Sequence, residues 1–483
     1  DEVYELFMDL EANDEQLDFP IMYGIARQGI AVSDPSEVAD IMVDDGTTKI
    51  KKSPKGFGEF NIEPLLDKIV EHCDPYPDLR DEPLQLQISS LAYDDYIGRL
   101  GIGRITRGTL KAAQQVVVMK DEEESYNAKI NQVFVYRGLQ RMSVDEAECG
   151  DIVVVSGISD ISIGETICDP AHPESLGNIS IEEPTLSMNF MVNSSPFAGK
   201  VGKYVTSRHI KERLEKELEV NVGLVVEPTD STDAFKVSGR GELHLSILIE
   251  QMRREGYELQ VGKPEVVYKT INGQKCEPME NLTIEVPQEY MGAVMESLGT
   301  RKAELSNMTE VSGYMRMEFV IPARGLIGFR SELLTNTKGN GIMNHVFCGY
   351  VPFKGDIPGR TRGSLVAFEQ GETTGYGIYT LQDRGTMFIS PGQQVYEGMI
   401  VGENSRELDI DINPCKKKNV SNMRTSSSDE AIRLVPPRIL SLEQALEYIN
   451  EDELVEVTPE NIRLRKAILD RTARGRANKN ARK

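Results

Sequence analysis

One order of elements occurs twice in this chain, and it restricts the fold more than any other feature. Residues 185–268 read as a strand (TLSMNFMV), a helix (VTSRHIKERLEKEL), two strands (VGLVVE and FKVSG), a second helix (ELHLSILIEQMRRE) and a closing strand (YELQV). Residues 279–350 repeat that order with NLTIEVP, YMGAVMESLGTRKA, LSNMTEVS, YMRMEFVIP, RGLIGFRSELLTNT and IMNHVFCGYV. A β-α-β-β-α-β unit buries both helices against one face of an antiparallel sheet. Ile210, Leu214 and Leu218 recur at helical spacing and mark the buried stripe of the first helix. Each unit is expected to form a two-layer sandwich with the same strand order.

At 483 residues the chain is too long for one core, so other domains must flank the pair. Between Leu84 and Asp169, short strands such as LQLQISSLAY, GRLGIGRITRG and DIVVVSGI are separated by Gly, Asp and Asn, which predicts a small closed barrel. Residues 1–82 read as the end of an α/β unit. A helix over Glu2 to Leu10 leads to the strand LDFPIMYGIA, and a later helix, IEPLLDKIVEHC, places Leu65, Leu66, Ile69 and Val70 on one face. The Pro-rich CDPYPDLRDEP then serves as a linker. Beyond Gly359 the chain is strand- and glycine-rich, with a polar loop (CKKKNVSNMRTSSSDEA), a helix (SLEQALEYINED), a strand (LVEVTP) and a basic tail. The fold class is multidomain α+β, divided at 1–82, 83–180, 181–275, 276–358 and 359–483.

Catalytic chemistry is hard to find. VSGRGELHL runs from a strand through Gly239-Arg240-Gly241 into a helix, where a nucleotide-binding protein keeps its phosphate loop. That loop needs Gly-x4-Gly-Lys-Ser/Thr, because lysine reaches the terminal phosphates and the hydroxyl binds magnesium. Gly199-Lys200-Val201 and Gly262-Lys263-Pro264 lack the hydroxyl and the upstream glycine, and Glu242 would compete with phosphate for the helix amides. The glycines of the turn are instead expected to supply positive φ. Guanine-specific Asn-Lys-x-Asp is missing, since Asn478-Lys479-Asn480 ends in Ala481. Asp95-Tyr96-Ile97-Gly98 is read as a barrel turn and His244 as a core histidine. Cysteines 73, 149, 168, 276, 348 and 415 form no CxxC pair, which points to free thiols in a reducing cytosol and to no metal site. No apolar run approaches the roughly 20 residues that span a bilayer. We expect no catalytic residue and no bound cofactor in the chain.

The net charge of −23 is unevenly spread. Residues 1–82 hold 21 acids and 7 bases, a balance of −14, whereas Arg463 to Lys483 holds nine bases against Asp470 alone. A basic end on an acidic chain suits a polyanionic partner. The first residue is Asp1 and the chain opens within an amphipathic stretch, so a piece of a longer protein is expected.

The chain resembles the TypA/BipA family of ribosome-associated translational GTPases, relatives of elongation factor G and LepA. YDDYIGRLGIGRITRG (93–108) resembles the second-domain barrel of those factors, and GRGELHLSILIEQMRREGYEL (239–259) the third domain of elongation factor G. IPARGLIGFRSELLTNTKGNGIMNH (321–345) resembles the TypA/BipA fifth domain, and residues 422–466 the C-terminal domain peculiar to the family. LepA would end in a different domain, so its tRNA back-translocation is the disfavoured alternative, alongside a nucleotide hydrolase with an unrecognised site. The resemblance makes residues 1–82 the last part of a GTP-binding domain. There YGIARQG matches the guanine-contacting loop at Ala26, with Ile25 in place of the usual serine. GTP and Mg²⁺ would act only in the full-length protein.

By the same resemblance the polar C-terminal loop reaches the ribosomal A site, near the acceptor end of tRNA. Its Lys416, Lys417, Lys418, Asn422, Arg424, Ser426, Ser427 and the nearby Arg433 supply charge and short polar donors suited to phosphate and ribose. Ser427 stands where the family usually has glycine. Arg474 and Arg476 in a flexible tail are expected to add to the RNA contact, and Arg301, Lys302 and Arg324 to face the stalk base. Arg99, Arg104 and Arg107 are weaker candidates for small-subunit RNA. Expected partners are the ribosome at its subunit interface, ribosomal RNA and A-site tRNA, with no membrane, for a cytoplasmic monomer.

Overall fold

A computed structural model describes residues 2–10, 12–26, 29–34, 61–121, 124–177, 179, 183–311, 313–357, 359–417 and 433–481. At the N-terminus a helix, Glu2–Asp9, precedes a two-stranded ladder of Tyr23–Ile25 with Ile30–Val32, and the helix Glu63–His72 follows. The apolar face read on that last helix is largely open: Leu66, Ile69 and Val70 are 50%, 47% and 81% exposed. A narrow two-stranded ladder cannot cover a ten-residue helix, and nothing else among the described residues does. The Pro-rich segment expected to be a linker is instead strapped to the barrel. Tyr76 Oη donates to Thr106 O at 3.1 Å, Gly108 N donates to Leu79 O at 2.9 Å, and Arg104 lies over the Tyr76 ring.

The β-rich region holds an eight-stranded sheet and a separate pair, Thr109–Lys111 with Glu146–Glu148. Alternate residues Leu86, Ile88, Val116, Val118, Val153 and Val155 turn into one core with Leu110 and Ala147 of the separate pair. The outermost strands, Ser125–Lys129 and Gln140–Val144, share no ladder, so the sheet curls round its core without closing by hydrogen bonds. Asp94 Oδ1 accepts from Tyr96 N and Ile97 N, and Gly98 takes φ +87°, which makes the turn read at Asp95–Gly98. Gly103 is a matter of space: a Cβ there would lie 2.0 Å from Gln87 O.

The first repeat comprises β1 (Leu186–Val192), α1 (Ser207–Leu218), β2 (Val225–Pro228), β3 (Ala234–Gly239), α2 (Glu242–Arg254) and β4 (Leu259–Val261). Thr206 caps α1 by accepting from His209 N, and Ile210 and Leu214 are fully buried beneath it. The second repeat comprises β5 (Gln274–Pro287), α3 (Met291–Thr300), β6 (Glu304–Val311), β7 (Tyr314–Pro322), α4 (Phe329–Asn336) and β8 (Ile342–Pro352). Strand order is β2-β3-β1-β4 in one and β6-β7-β5-β8 in the other, all antiparallel. The two units therefore share one topology. The Gly239–Gly241 turn differs from expectation, because neither glycine has positive φ. Gly241 is extended at φ −179°, and Gly239 is needed for room, since a Cβ would lie 2.9 Å from His244 Nδ1.

The C-terminal region supplies β9 (Ser364–Ala367), β10 (Met399–Asn404), β11 (Ile410–Ile412), α5 (Leu442–Tyr448), β12 (Glu453–Val457), β13 (Ile462–Lys466) and α6 (Arg471–Ala481). It does not stand apart from the first sandwich. β12 pairs with β4, Leu259 facing Val457 and Val261 facing Val455, so one sheet runs β2-β3-β1-β4-β12-β13-β10-β9-β11. One apolar core spans the seam, joining Leu245, Leu248 and Leu259 to Leu442, Leu446, Val455 and Leu464.

Several polar groups buried at the seam are satisfied across it. Glu456, fully buried, accepts from Asn193 Nδ2 at 3.1 Å, Ser195 Oγ at 2.9 Å, Arg463 Nη1 at 3.1 Å and Tyr396 Oη at 2.6 Å. Asn193 Nδ2 also donates to the buried Glu258 at 2.7 Å, and Arg465 Nη1 donates to Gln260 Oε1 at 3.1 Å. A buried carboxylate with four donors is tolerated only where the geometry is fixed, so these bonds lock the register.

Candidate nucleic-acid interface

The polar loop leaves and re-enters the fused body at anchored points. On the way out, β11 runs into Asn413, whose Oδ1 accepts from Cys415 N at 2.9 Å. Thr374 N donates to Pro414 O at 3.1 Å and Thr374 Oγ1 to Lys416 O at 2.6 Å. A Cβ on Gly377 would lie 2.2 Å from Pro414 O, so this stem lies flush on the short helix Gly375–Tyr379. On return, Leu434 packs on the same apolar cluster as Cys415, with Leu365, Ile378 and Tyr396 at its centre. Lys416, Lys417 and Arg433 are exposed on these stems and make ion pairs with no other described residue. Lys418, Asn422, Arg424, Ser426 and Ser427 lie outside the described residues.

The basic tail, expected to be flexible, forms α6 and is moored to the loop's stem. Asp411 of β11 receives Arg471 Nε at 2.9 Å and Arg474 Nη2 at 2.6 Å. Arg474 Nη1 also donates to Leu469 O at 2.6 Å, and its side chain is only 12% exposed. Arg474, expected to add to the RNA contact, thus tethers the helix to the loop's stem. Arg476 and Lys479 remain exposed on the helix. One carboxylate, five residues before Lys416, ties together two basic segments that are some sixty positions apart.

Arg301 and Arg324, expected to face the stalk base, are both bonded within the second sandwich. Arg301 donates to Gly325 O at 2.7 Å, Ile327 O at 3.0 Å and Glu332 Oε2 at 2.7 Å. Arg324 pairs with the fully buried Glu277, reaches Gly355 O and stacks over Phe353. Both guanidinium groups are mostly buried, with side chains 19% and 13% exposed. Lys302 stays exposed, at the left-handed φ of +65° just past α3. In the barrel, Arg99 reaches Glu219 at 2.9 Å and Arg107 binds Glu174, while Lys216 reaches Asp95 at 2.8 Å. Arg99 and Lys216 thereby join the barrel to the first sandwich.

The start of α2 is closed to phosphate by the chain's own acids. Glu242 in its first turn is pushed up to about 7, by burial first and then by the negative charge of Glu447. His244 accepts from Arg240 N at 3.3 Å and meets Asn221 Nδ2 at 2.8 Å, a satisfied structural histidine held below its usual range by burial and Arg240. Ala26 is exposed at the end of a two-stranded ladder, with Gly29 N on its carbonyl. Among the described residues no group of three or more His, Cys, Asp or Glu is placed to hold a metal.

The pattern of domains is matched by three family models: elongation factor Tu domain 2 at residues 98–168, the elongation factor G C-terminus at 274–361, and the TypA/BipA C-terminal domain at 362–471. Similar proteins over nearly the whole chain are named large ribosomal subunit assembly factor BipA. That of Bacillus subtilis is 49% identical over 481 residues, covering 99% of this chain and 75% of the relative. That of Salmonella typhimurium is 48% identical over 482 residues, covering 99% and 76%. That of Synechocystis is 47% identical over 467 residues, covering 96% and 75%.

Proposed function

Because the chain belongs to the TypA/BipA family of translational GTPases, we propose that it is the ribosome- and RNA-engaging body of a large-subunit assembly factor. It acts in the ribosomal A site, between the subunits, and in stress-conditioned translation as well as assembly. Its partners are ribosomal RNA, A-site tRNA and the stalk base, in the cytoplasm, with the protein as a monomer. The observation that carries this reading is the shared mooring at Asp411, which ties the strand leading to the exposed Lys416 and Lys417 to the helix that bears Arg476 and Lys479. On a chain of net charge −23, exposed cations on two elements tied together are suited to phosphate, and phosphate contacts position a protein on RNA.

GTP and Mg²⁺ belong to the part of the relatives that this chain does not span, and residues 1–82 are the end of that GTP-binding domain, with Ala26 in its guanine loop. The remaining divisions are the barrel (83–180), the third-domain-like sandwich (181–275), the fifth-domain-like sandwich (276–358) and the family's C-terminal domain (359–483). The family's C-terminal domain model on residues 362–471 favours this reading over a LepA-like factor. The test is sedimentation of the chain with purified large and small subunits, with no nucleotide added. Binding to large subunits that weakens with salt is expected, and equal recovery with and without subunits would overturn the proposal. Calorimetry with GTP should show no magnesium-dependent binding; micromolar affinity would contradict the assignment of nucleotide to the segment outside this chain.

A further inference from the structure

Sheet edges are hazardous, and most in this molecule are visibly blunted. The edge strands Ser125–Lys129, Gln140–Val144, Val225–Pro228, Glu304–Val311 and Ile410–Ile412 each carry a charged residue, and Val225–Pro228 adds a proline. β8 is different. Over Ile342–Phe347 it reads IMNHVF, with no Asp, Glu, Lys, Arg or Pro, and Ile342 and Val346 are 62% and 51% exposed. Its only ladder partner among the described residues is β5. A register shift at Met279/Glu280 and Gly349 at φ +133° end the regular edge just after Phe347. Six residues of open strand, about 20 Å, remain.

The twin sandwich shows what such an edge is for. β4 occupies the same place in the topology, and there a strand, β12, is added to it in antiparallel register. We propose that β8 accepts a strand in the same way over Ile342–Phe347, from an extended, basic polypeptide segment of a partner protein. Main-chain bonds would supply the affinity, and the apolar side chains Ile342 and Val346 would lie against alternate residues of the guest. Charge selects the guest. A second copy would bring −23 against −23, whereas a basic segment is drawn to this chain and meets no lysine or arginine along IMNHVF, where the histidine, His345, is paired with Glu280. This inference adds a protein contact to the proposed function and does not depend on it.

The test uses the whole chain and a synthetic ten-residue peptide of alternating valine and lysine. Amide hydrogen exchange across Ile342–Phe347 should slow by about tenfold or more at saturating peptide, the opening being suppressed in proportion to binding. The same peptide with glutamate for lysine, or with N-methylated backbone, should give no slowing. Val346→Lys should abolish the effect with an unchanged melting temperature, since this side chain is half exposed. No slowing with the basic peptide would overturn the proposal. So would equal slowing by the N-methylated peptide, or slowing that needs only a higher concentration of the chain, which would make the guest a second copy.

Discussion

In the first sandwich the closing strand has three residues and a neighbour on each side, whereas in the second it has eleven and, among the described residues, a neighbour on one side only. Strand order and helix placement are otherwise the same. β4 gains β12, a common core and a buried polar network, and so ceases to be a separate domain. β8 keeps its own core of Leu282, Ile284, Phe319 and Phe329 and stays distinct. The same topology thus gives a continued sheet in one place and an edge strand in the other, although Ala323 of the second sandwich also packs in the fused core. The basic loop stems and α6 ride on the continued sheet.

The strongest way to break this comparison is a charge in the seam. Val455→Asp places a carboxylate at a fully buried site, and should cost more than about 4 kcal/mol. Exchange protection should fall together in β4 and β12 while the second sandwich keeps its own. Val346→Asp on the open edge should change stability by less than about 0.5 kcal/mol. If Val455→Asp loosened only residues beyond 359, the fused body would be wrong.

Within the second sandwich, Arg324→Ala strands the buried Glu277 and should cost about 3 kcal/mol, confined to that unit. Large-subunit affinity should hold where the sandwich is still folded, which separates a structural arginine from a contact.

The joint between the two bodies should respond to pH. Glu242, buried beside Glu447 where Ser331 Oγ of α4 reaches Glu447 of α5 at 2.9 Å, titrates near 7 against an ordinary 4.5. A carboxyl raised on folding contributes fully below about pH 4.5, and its contribution is lost as pH rises through 7. Glu242→Gln should remove that slope and stabilise the protein at pH 8 by up to about 3 kcal/mol, as read from denaturant midpoints between pH 5 and 8. A slope unchanged by the substitution would rule out Glu242 as its source.

The smallest expected effect is at Lys302, held at φ +65° where glycine is at ease. Lys302→Gly should raise the second sandwich's stability by roughly 1 kcal/mol and leave the fused body alone, as separate thermal transitions would show.

What sequence makes legible is local. Period and punctuation mark both sandwiches, the α1 stripe at Ile210 and Leu214, and the Asp94–Gly98 turn. The seam leaves no such trace. LVEVTP reads as a strand, but nothing local says that residue 457 meets residue 259, and Glu456 and Arg465 look like surface charges until both neighbours are in place. The cations are hidden for the same reason. Arg301, Arg324 and Arg474 stand out in sequence, while the Glu332, Glu277 and Asp411 that hold them are 31, 47 and 63 positions away. Turn propensity points to φ at Gly239, but the constraint there is the closeness of the His244 ring, which appears only once α2 has folded back on the turn. Leu66, Ile69 and Val70 have helical spacing, which fixes a face without providing anything to cover it.

The most direct test of the claim that the fused body presents the RNA-facing surface is a salt series of large-subunit sedimentation. It compares the parent chain with one in which Lys416, Lys417, Lys418 and Arg424 are all alanine, with melting temperature as the control for folding. Weaker binding is expected, with a dependence on salt that is shallower by about one unit of slope for each phosphate no longer neutralised. Stability should move by less than roughly 1 kcal/mol. Unchanged affinity and slope would contradict that claim, and the loop would be a solvated surface.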